Sequence, residues 1–178
     1  GHADYTGSVK YSGFNDFRGG GHFSGRITAP LVFAGAIAKQ ILRKKEIEVG
    51  GHIYQIAGIY DTPFDKVNIN SELLKITSKR KFSVVDENKG IKMITAISNA
   101  KQEQNSVGGV IECAILNLPE GIGSPFFDSV ESLLAHLLFS IPGVKGVEFG
   151  TGFEMSQMLG SEANDEFYIE EDKIKTFT

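Results

Sequence analysis

The run from Ala29 to Ala38, APLVFAGAIA, carries no polar side chain. Its setting is helical: Thr28 or a neighbour can cap, Pro30 suits a first turn, and β-branched crowding is slight before Ile37. The helix is expected over Ser24 to Lys45, with Arg43, Lys44 and Lys45 closing it where the helix dipole favours cations. A helix without a polar face has to be covered on every side, so this one is expected to run through the middle of the domain. The run is far short of the roughly 20 residues needed to cross a bilayer.

Further along, EIEVGGHIYQIAGIY reads as a half-buried strand in which Ile47, Val49, Gly51, Ile53 and Ala57 alternate with more polar positions. His52 in this strand has no acid or histidine at ligand spacing, which places it at the surface or an edge. A turn and a short helix near Ser71 to Thr77 follow, then a solvated basic cluster, Lys79-Arg80-Lys81. Asp86 can cap a helix running to about Gln104, amphipathic through Ile91, Ile94, Ile97 and Ala100, that should lie on a sheet. GGVIECAILNLP is a strand, with Cys113 as core packing. Asp128 to Ser140 is a helix stopped by Pro142, with His136 towards its polar side. VKGVEFG and the closing FYIEEDKIKTF are further strands. One-face alternation in these strands favours an α+β fold with central helices packed between antiparallel sheets, a β-α-β sandwich, over a doubly wound parallel sheet.

The bulk numbers bound the function. A chain of 178 residues, 41% hydrophobic and 22% charged, supports one sizeable core, so residues 1–178 are expected to form a single domain. A net charge of -4 argues against a general nucleic-acid or anionic-membrane surface and leaves room only for a local anion site. The single cysteine precludes an internal disulfide and points to a reducing compartment. No secretory signal pattern opens the chain. It begins at Gly1-His2-Ala3-Asp4 and ends in EEDKIKTFT without an initiator methionine or a closing cap, and so reads as an internal piece of a longer protein. Zinc-ligand spacing, a calcium loop and a Gly-x-Ser-x-Gly nucleophile turn are all missing, so no metal site and no covalent hydrolysis are expected.

The chemistry gathers in DFRGGGHFSGRITAP, Asp16 to Pro30. Gly19-Gly20-Gly21 matches neither a dinucleotide fingerprint nor a nucleotide-hydrolase phosphate loop. It does offer backbone amides free to adopt positive φ just before a helix start. With Arg18 and Arg26 beside them, such amides can form an anion site, although a simple flexible loop would carry the same residues. Arg18 suits a structural or a functional part equally.

The whole stretch GHADYTGSVKYSGFNDFRGGGHFSGRITAP, continued by VFAGAIAKQIL, GGVIECAILNLPEGIGSPFFDSVESLLAHLLFSIPGVKGVEFGTGF and GSEANDEF, resembles the chorismate synthase family. The resemblance is collinear and covers nearly the whole chain. It implies a carbon-oxygen lyase of the shikimate pathway of aromatic amino acid biosynthesis, removing phosphate and a ring proton from 5-enolpyruvylshikimate 3-phosphate in a 1,4-anti sense. It also implies a requirement for reduced FMN and a cytoplasmic homotetramer. By the same resemblance His2 matches a catalytic histidine at the reduced flavin. His22, Phe23 and Ser24 match the FMN-contacting part of the loop, and Arg26 matches an arginine at the flavin and substrate site. Many members carry Arg-Ser-Ser-Ala-Arg-Glu-Thr where this chain has His22-Phe23-Ser24-Gly25-Arg26-Ile27-Thr28. The family's Gly-Glu-Ser-His-Gly and Arg-x-Asp-Pro motifs do not occur here, so these 178 residues alone are expected to be inactive. A non-enzymatic domain that binds a phosphorylated ligand through the glycine loop is the alternative.

Overall fold

The computed structural model describes residues 3–176. In chain order the elements are α1 (Asp4–Lys10), α2 (Thr28–Arg43), β1 (Glu48–Ile56), β2 (Ile59–Tyr60), α3 (Ser71–Lys79), α4 (Glu87–Gln102), β3 (Gly109–Leu116), α5 (Val130–Phe139), the single turn α6 (Gly160–Ala163), β4 (Phe167–Glu170) and β5 (Lys173–Thr176). Both sheets are antiparallel, giving the α+β class expected from the alternating strands. Backbone contacts gather the chain into two compact units. One holds the residues up to Ile41 with Glu120–Gly152, the other Leu42–Pro119 with the residues from Phe153 onward.

In the first unit, α1 was not foreshadowed by any apolar periodicity, yet Asp4 in its first turn and Lys10 in its last complement the helix dipole. Helix α2 is shorter than the expected Ser24 to Lys45, starting at Thr28 after a tight turn over Gly25–Ile27 and ending at Arg43. Its coverage also differs from the expectation: none of its residues is buried, and Val32 and Phe33 are 71% and 70% exposed. Helicity is encoded locally by capping and propensity, whereas burial needs a second surface. Among the described residues none closes over the Leu31–Ile41 side chains. Helix α5 starts on Ser129, whose hydroxyl accepts the Ser132 N–H at 3.2 Å. VKGVEFG forms no strand: an apolar alternation without a neighbouring strand has nothing to pair with.

The second unit is built on a three-stranded sheet in the order β2-β1-β3. Strands β1 and β2 are joined by a two-residue turn at Ala57-Gly58, with φ of 50° and 78°. Such positive values match the right-handed twist of the flanking strands. Helix α3 lies on β1, its Leu74 so close to Gly50 that a Cβ there would stand 2.9 Å from the leucine Cβ. Phe64, Leu74 and Ala114 form the buried cluster, with Ile69, Leu73, Val85 and Leu116 against it. The closing segment is a hairpin instead of one strand, because Glu171 and Asp172 take φ of 50° and 60° and reverse the chain between β4 and β5.

Helix α4 starts as expected: the Asp86 carboxylate accepts the Asn88 N–H at 2.8 Å and the Lys89 N–H at 3.4 Å. Asp86→Ala is expected to cost about 1 kcal/mol, seen as a lower urea midpoint. Its inward face, however, is Gly90 and Met93, while Ile91, Ile94 and Ile97 stay exposed. Gly90 decides this, since a Cβ there would meet Val84 at 2.7 Å and only a glycine lets the helix approach on that side.

Two further expectations are corrected in the sheet. The buried positions of β1 are Gly50 and His52, with Val49, Gly51 and Ile53 only half-buried, so the inward face is the one opposite to that expected. His52, expected at a surface or edge, is 1% exposed, because the segments around Phe64 and Val85 cover it. Cys113, expected in the core, is exposed, since its neighbour Ala114 takes the inward side of β3 and successive strand residues face oppositely.

Candidate functional site

The glycine loop is wound tightly. Gly19, Gly20 and Gly21 have φ of 65°, 83° and 49° within the turn Arg18–Phe23. At Gly21 the chain passes so close to itself that a Cβ would stand 2.7 Å from the Asp16 carbonyl oxygen. Gly21→Ala therefore meets both a clash and a forbidden conformation, with an expected loss of about 1–3 kcal/mol, measured as a lower thermal midpoint.

Asp16 holds the start of the loop. Its Oδ1 accepts the Arg18 backbone N–H at 3.0 Å and Nε at 2.9 Å, and its Oδ2 accepts Nη2 at 2.7 Å. The guanidinium fork keeps the Asp16 carboxyl below the usual carboxylate range, and the Arg18 backbone N–H adds to the effect. Arg18 is thus engaged by its neighbour at the loop entrance and is not among the residues lining the hollow described next.

Beyond the glycines, the Ser24 hydroxyl oxygen accepts the Arg26 N–H at 3.2 Å, which caps the turn leading into α2. The Arg26 side chain folds back to donate from Nη1 to the Gly19 carbonyl at 3.2 Å. Phe23 seats its ring on α1, where a Cβ at Gly7 would lie 2.7 Å from the ring edge. These contacts shape a hollow of about 460 Å³ lined by Ala3, Asp4, Gly19, Gly20, Phe23, Ser24, Gly25 and Arg26.

Of the site residues expected from sequence, Phe23, Ser24 and Arg26 meet in this hollow, whereas His22 is exposed and outside the lining. His2 lies outside the described residues; Ala3 and Asp4, the residues that follow it, line the hollow. The contribution of α1 was not foreseen, though the acidic first turn and basic last turn of Asp4–Lys10 were a usable signal. Chemically, the hollow combines a cation, a hydroxyl whose proton can donate while its oxygen accepts, and a partly exposed aromatic ring. Such a set suits an anionic ligand with a flat aromatic portion.

Among the described residues there is no cluster of histidine, cysteine or carboxylate side chains able to hold a metal ion. No described helix is long and apolar enough to cross a membrane.

Comparison with known proteins bears on the family and the fold. The family model for chorismate synthase matches residues 1–176. A chorismate synthase of Dehalococcoides mccartyi is 48% identical over 176 residues, which is 99% of this chain and 47% of that protein. One of Pyrococcus abyssi is 42% identical over 178 residues, covering 100% of this chain and 48% of its own length. A crystal structure of chorismate synthase superposes with a TM-score of 0.83 at 28% identity, covering 98% of this chain and 55% of that one. The chain spans about half the length of the curated relatives it matches. With a family match along nearly all its residues and a shared antiparallel α+β fold, the chain belongs to the chorismate synthase family.

Proposed function

We propose that this chain supplies the glycine-loop wall of a chorismate synthase site, which binds reduced FMN and 5-enolpyruvylshikimate 3-phosphate and releases phosphate to give chorismate. The observation that carries the reading is the convergence of Phe23, Ser24 and Arg26 with the Gly19-Gly20 backbone in one hollow, in a chain of this family. The donor set fits the cofactor. Arg26 uses one of its N–H groups on Gly19 and has others for a phosphate or carboxylate, and Phe23 offers a flat apolar face to a heteroaromatic ring. When bound, reduced FMN supplies electron density to the ring that loses phosphate and recovers it, so the overall reaction has no net redox change.

The chain's own residues have simpler tasks. Arg26 holds an anionic group through its planar fork and balances charge in the hollow. Ser24 donates its hydroxyl proton to the bound pair, and Phe23 keeps water from one face. His2, by its place in the Gly-His-Ala-Asp motif, holds or donates a proton at the flavin, a task suited to a side chain that titrates near neutrality. His22 stands at the exposed edge of the loop, where many family members have arginine. The same reading carries a cytoplasmic homotetramer for the whole protein, and no turnover by these 178 residues alone.

An anaerobic titration of reduced FMN into the chain, with and without 5-enolpyruvylshikimate 3-phosphate, tests the proposal. Substrate-dependent flavin binding that disappears in Arg26→Ala or His2→Ala is the expected result. Indifference to both substitutions, with binding of inorganic phosphate alone, would overturn it in favour of a non-enzymatic anion-binding domain.

A further inference from the structure

His52 is enclosed in the second unit between two carboxylates. Its Nδ1 lies 2.9 Å from Asp61 Oδ2 and its Nε2 lies 2.7 Å from Glu112 Oε2, with the His52 and Asp61 side chains fully inaccessible. The Phe64 ring packs on the imidazole with centroids 4.5 Å apart, and Tyr54 meets it edge-on at 6.3 Å. Both carboxylates also accept backbone N–H groups: Val85 N–H at 2.5 Å and Asp86 N–H at 2.9 Å on Asp61, and Phe64 N–H at 2.9 Å on Glu112.

A neutral imidazole has one N–H and one bare lone pair. In this cage the bare nitrogen would face a carboxylate oxygen at hydrogen-bond distance, lone pair against lone pair. Protonating Asp61 is a poor escape. Burial pushes its carboxyl up, but the Asp86, Val85 and Thr62 amides and the His52 ring outweigh that and hold it below the usual range. Protonating Glu112 towards the ring would put the proton on the oxygen that already accepts Phe64 N–H. The remaining charged groups lie one layer out: Arg80 donates to the Val84 and Val85 carbonyls, Lys89 Nζ reaches Thr62 Oγ1, and the Asp86 carboxylate caps α4.

His52 and Glu112 are also register partners across β1 and β3. The residues before His52 in β1 are Gly50 and Gly51, which offer no side chain to specify pairing, and the ladder shifts between Ile53 and Gln55 just beyond it. Glycine-rich strands specify register weakly, and fixing register is the best-attested use of buried ionic groups. We propose that His52 donates from both ring nitrogens and that the resulting buried Asp61–His52–Glu112 ion triplet locks the register of β1 on β3. A slip by one residue would bring Ile111 or Cys113 opposite the imidazolium and leave it without its second acceptor.

Nitrogen-detected NMR of the ¹⁵N-labelled chain at neutral pH decides the protonation. Two ring N–H signals from His52 are expected, and a ring with one unprotonated nitrogen would overturn the proposal. Glu112→Ala, at the partly exposed corner of the triplet, leaves Asp61 in place and removes the acceptor on Nε2 together with that of the Phe64 N–H. There the ring should keep the Nδ1 proton alone, and amide exchange across 49–53 and 111–115 should rise roughly tenfold. Two retained ring protons in that variant, or exchange within about twofold of the unsubstituted chain, would refute the register lock.

Discussion

Asp61→Ala is expected to destabilise the unit built on β1, β2 and β3 by about 3–5 kcal/mol, because it leaves a buried imidazole and two amides without their acceptor. The Val85 and Asp86 N–H groups both end on this carboxylate, so the segment entering α4 loses its anchor along with the ring. The loss should appear as a lower urea midpoint. Acid should produce part of the same effect in the unsubstituted chain. The Asp61 carboxyl is held below its ordinary range in the folded unit, so the unfolded chain takes up its proton first as pH falls. The stabilisation from Asp61 is therefore complete above the ordinary carboxylate value of about 3.9 and declines as pH drops through the lower folded one. A urea midpoint that falls as pH drops below about 5 is the expected profile on the acid side, with that fall much reduced in Asp61→Ala. An equally steep acid fall in the variant would assign the effect to other carboxylates.

Arg26→Ala should weaken binding of the anionic flavin and substrate roughly 10- to 100-fold, the range for hydrogen bonds to charged groups. Stability should change little, since the side chain is exposed and its one hydrogen bond to Gly19 is a surface contact. Arg26→Lys restores charge without the planar fork and should recover only part of the affinity. A full recovery by lysine would mean that field alone matters at this position. Comparing flavin affinity with the urea midpoint in both variants separates a lost ligand contact from a disturbed loop.

The candidate site was unusually legible because most of it is contiguous. Phe23, Ser24 and Arg26 lie within four residues of one another, and the contacts that organise them, Ser24 on Arg26 and Arg26 on Gly19, span two and seven positions. Local sequence can show such an arrangement. His22 marks the limit: it shares the motif but not the hollow, because the turn sets successive side chains in different directions. The wall contributed by Ala3 and Asp4 was harder to see, since both precede the glycine loop by more than ten residues and no periodicity links them to it.

Among the elements, capped helices were recognised best. Asp86 marks the start of α4 because capping depends on residues two or three apart, and α5, expected over Asp128 to Ser140, begins at Val130 on a Ser129 cap that periodicity alone did not single out. Which face of each helix turns inward was not readable in the same way. The isoleucines of α4 form the more apolar stripe, yet Gly90 and Met93 face in, since Val84 comes from an earlier segment and fits only against a glycine. The apolar side chains of α2 likewise demand a cover that the described residues do not provide.

The sequence by itself determined the family, the antiparallel α+β class, the capped start of α4 and the composition of the glycine loop, all of which rest on collinear motifs or on contacts a few residues long. Only the tertiary structure decided the position of His52. Its partners are nine and sixty residues away, and the spacing of a strand cannot reveal acids brought to it by a turn and by the neighbouring strand. Burial and ionic pairing are properties of surfaces that meet, and in this chain those surfaces are assembled by β1, β3 and the segments that cross over them.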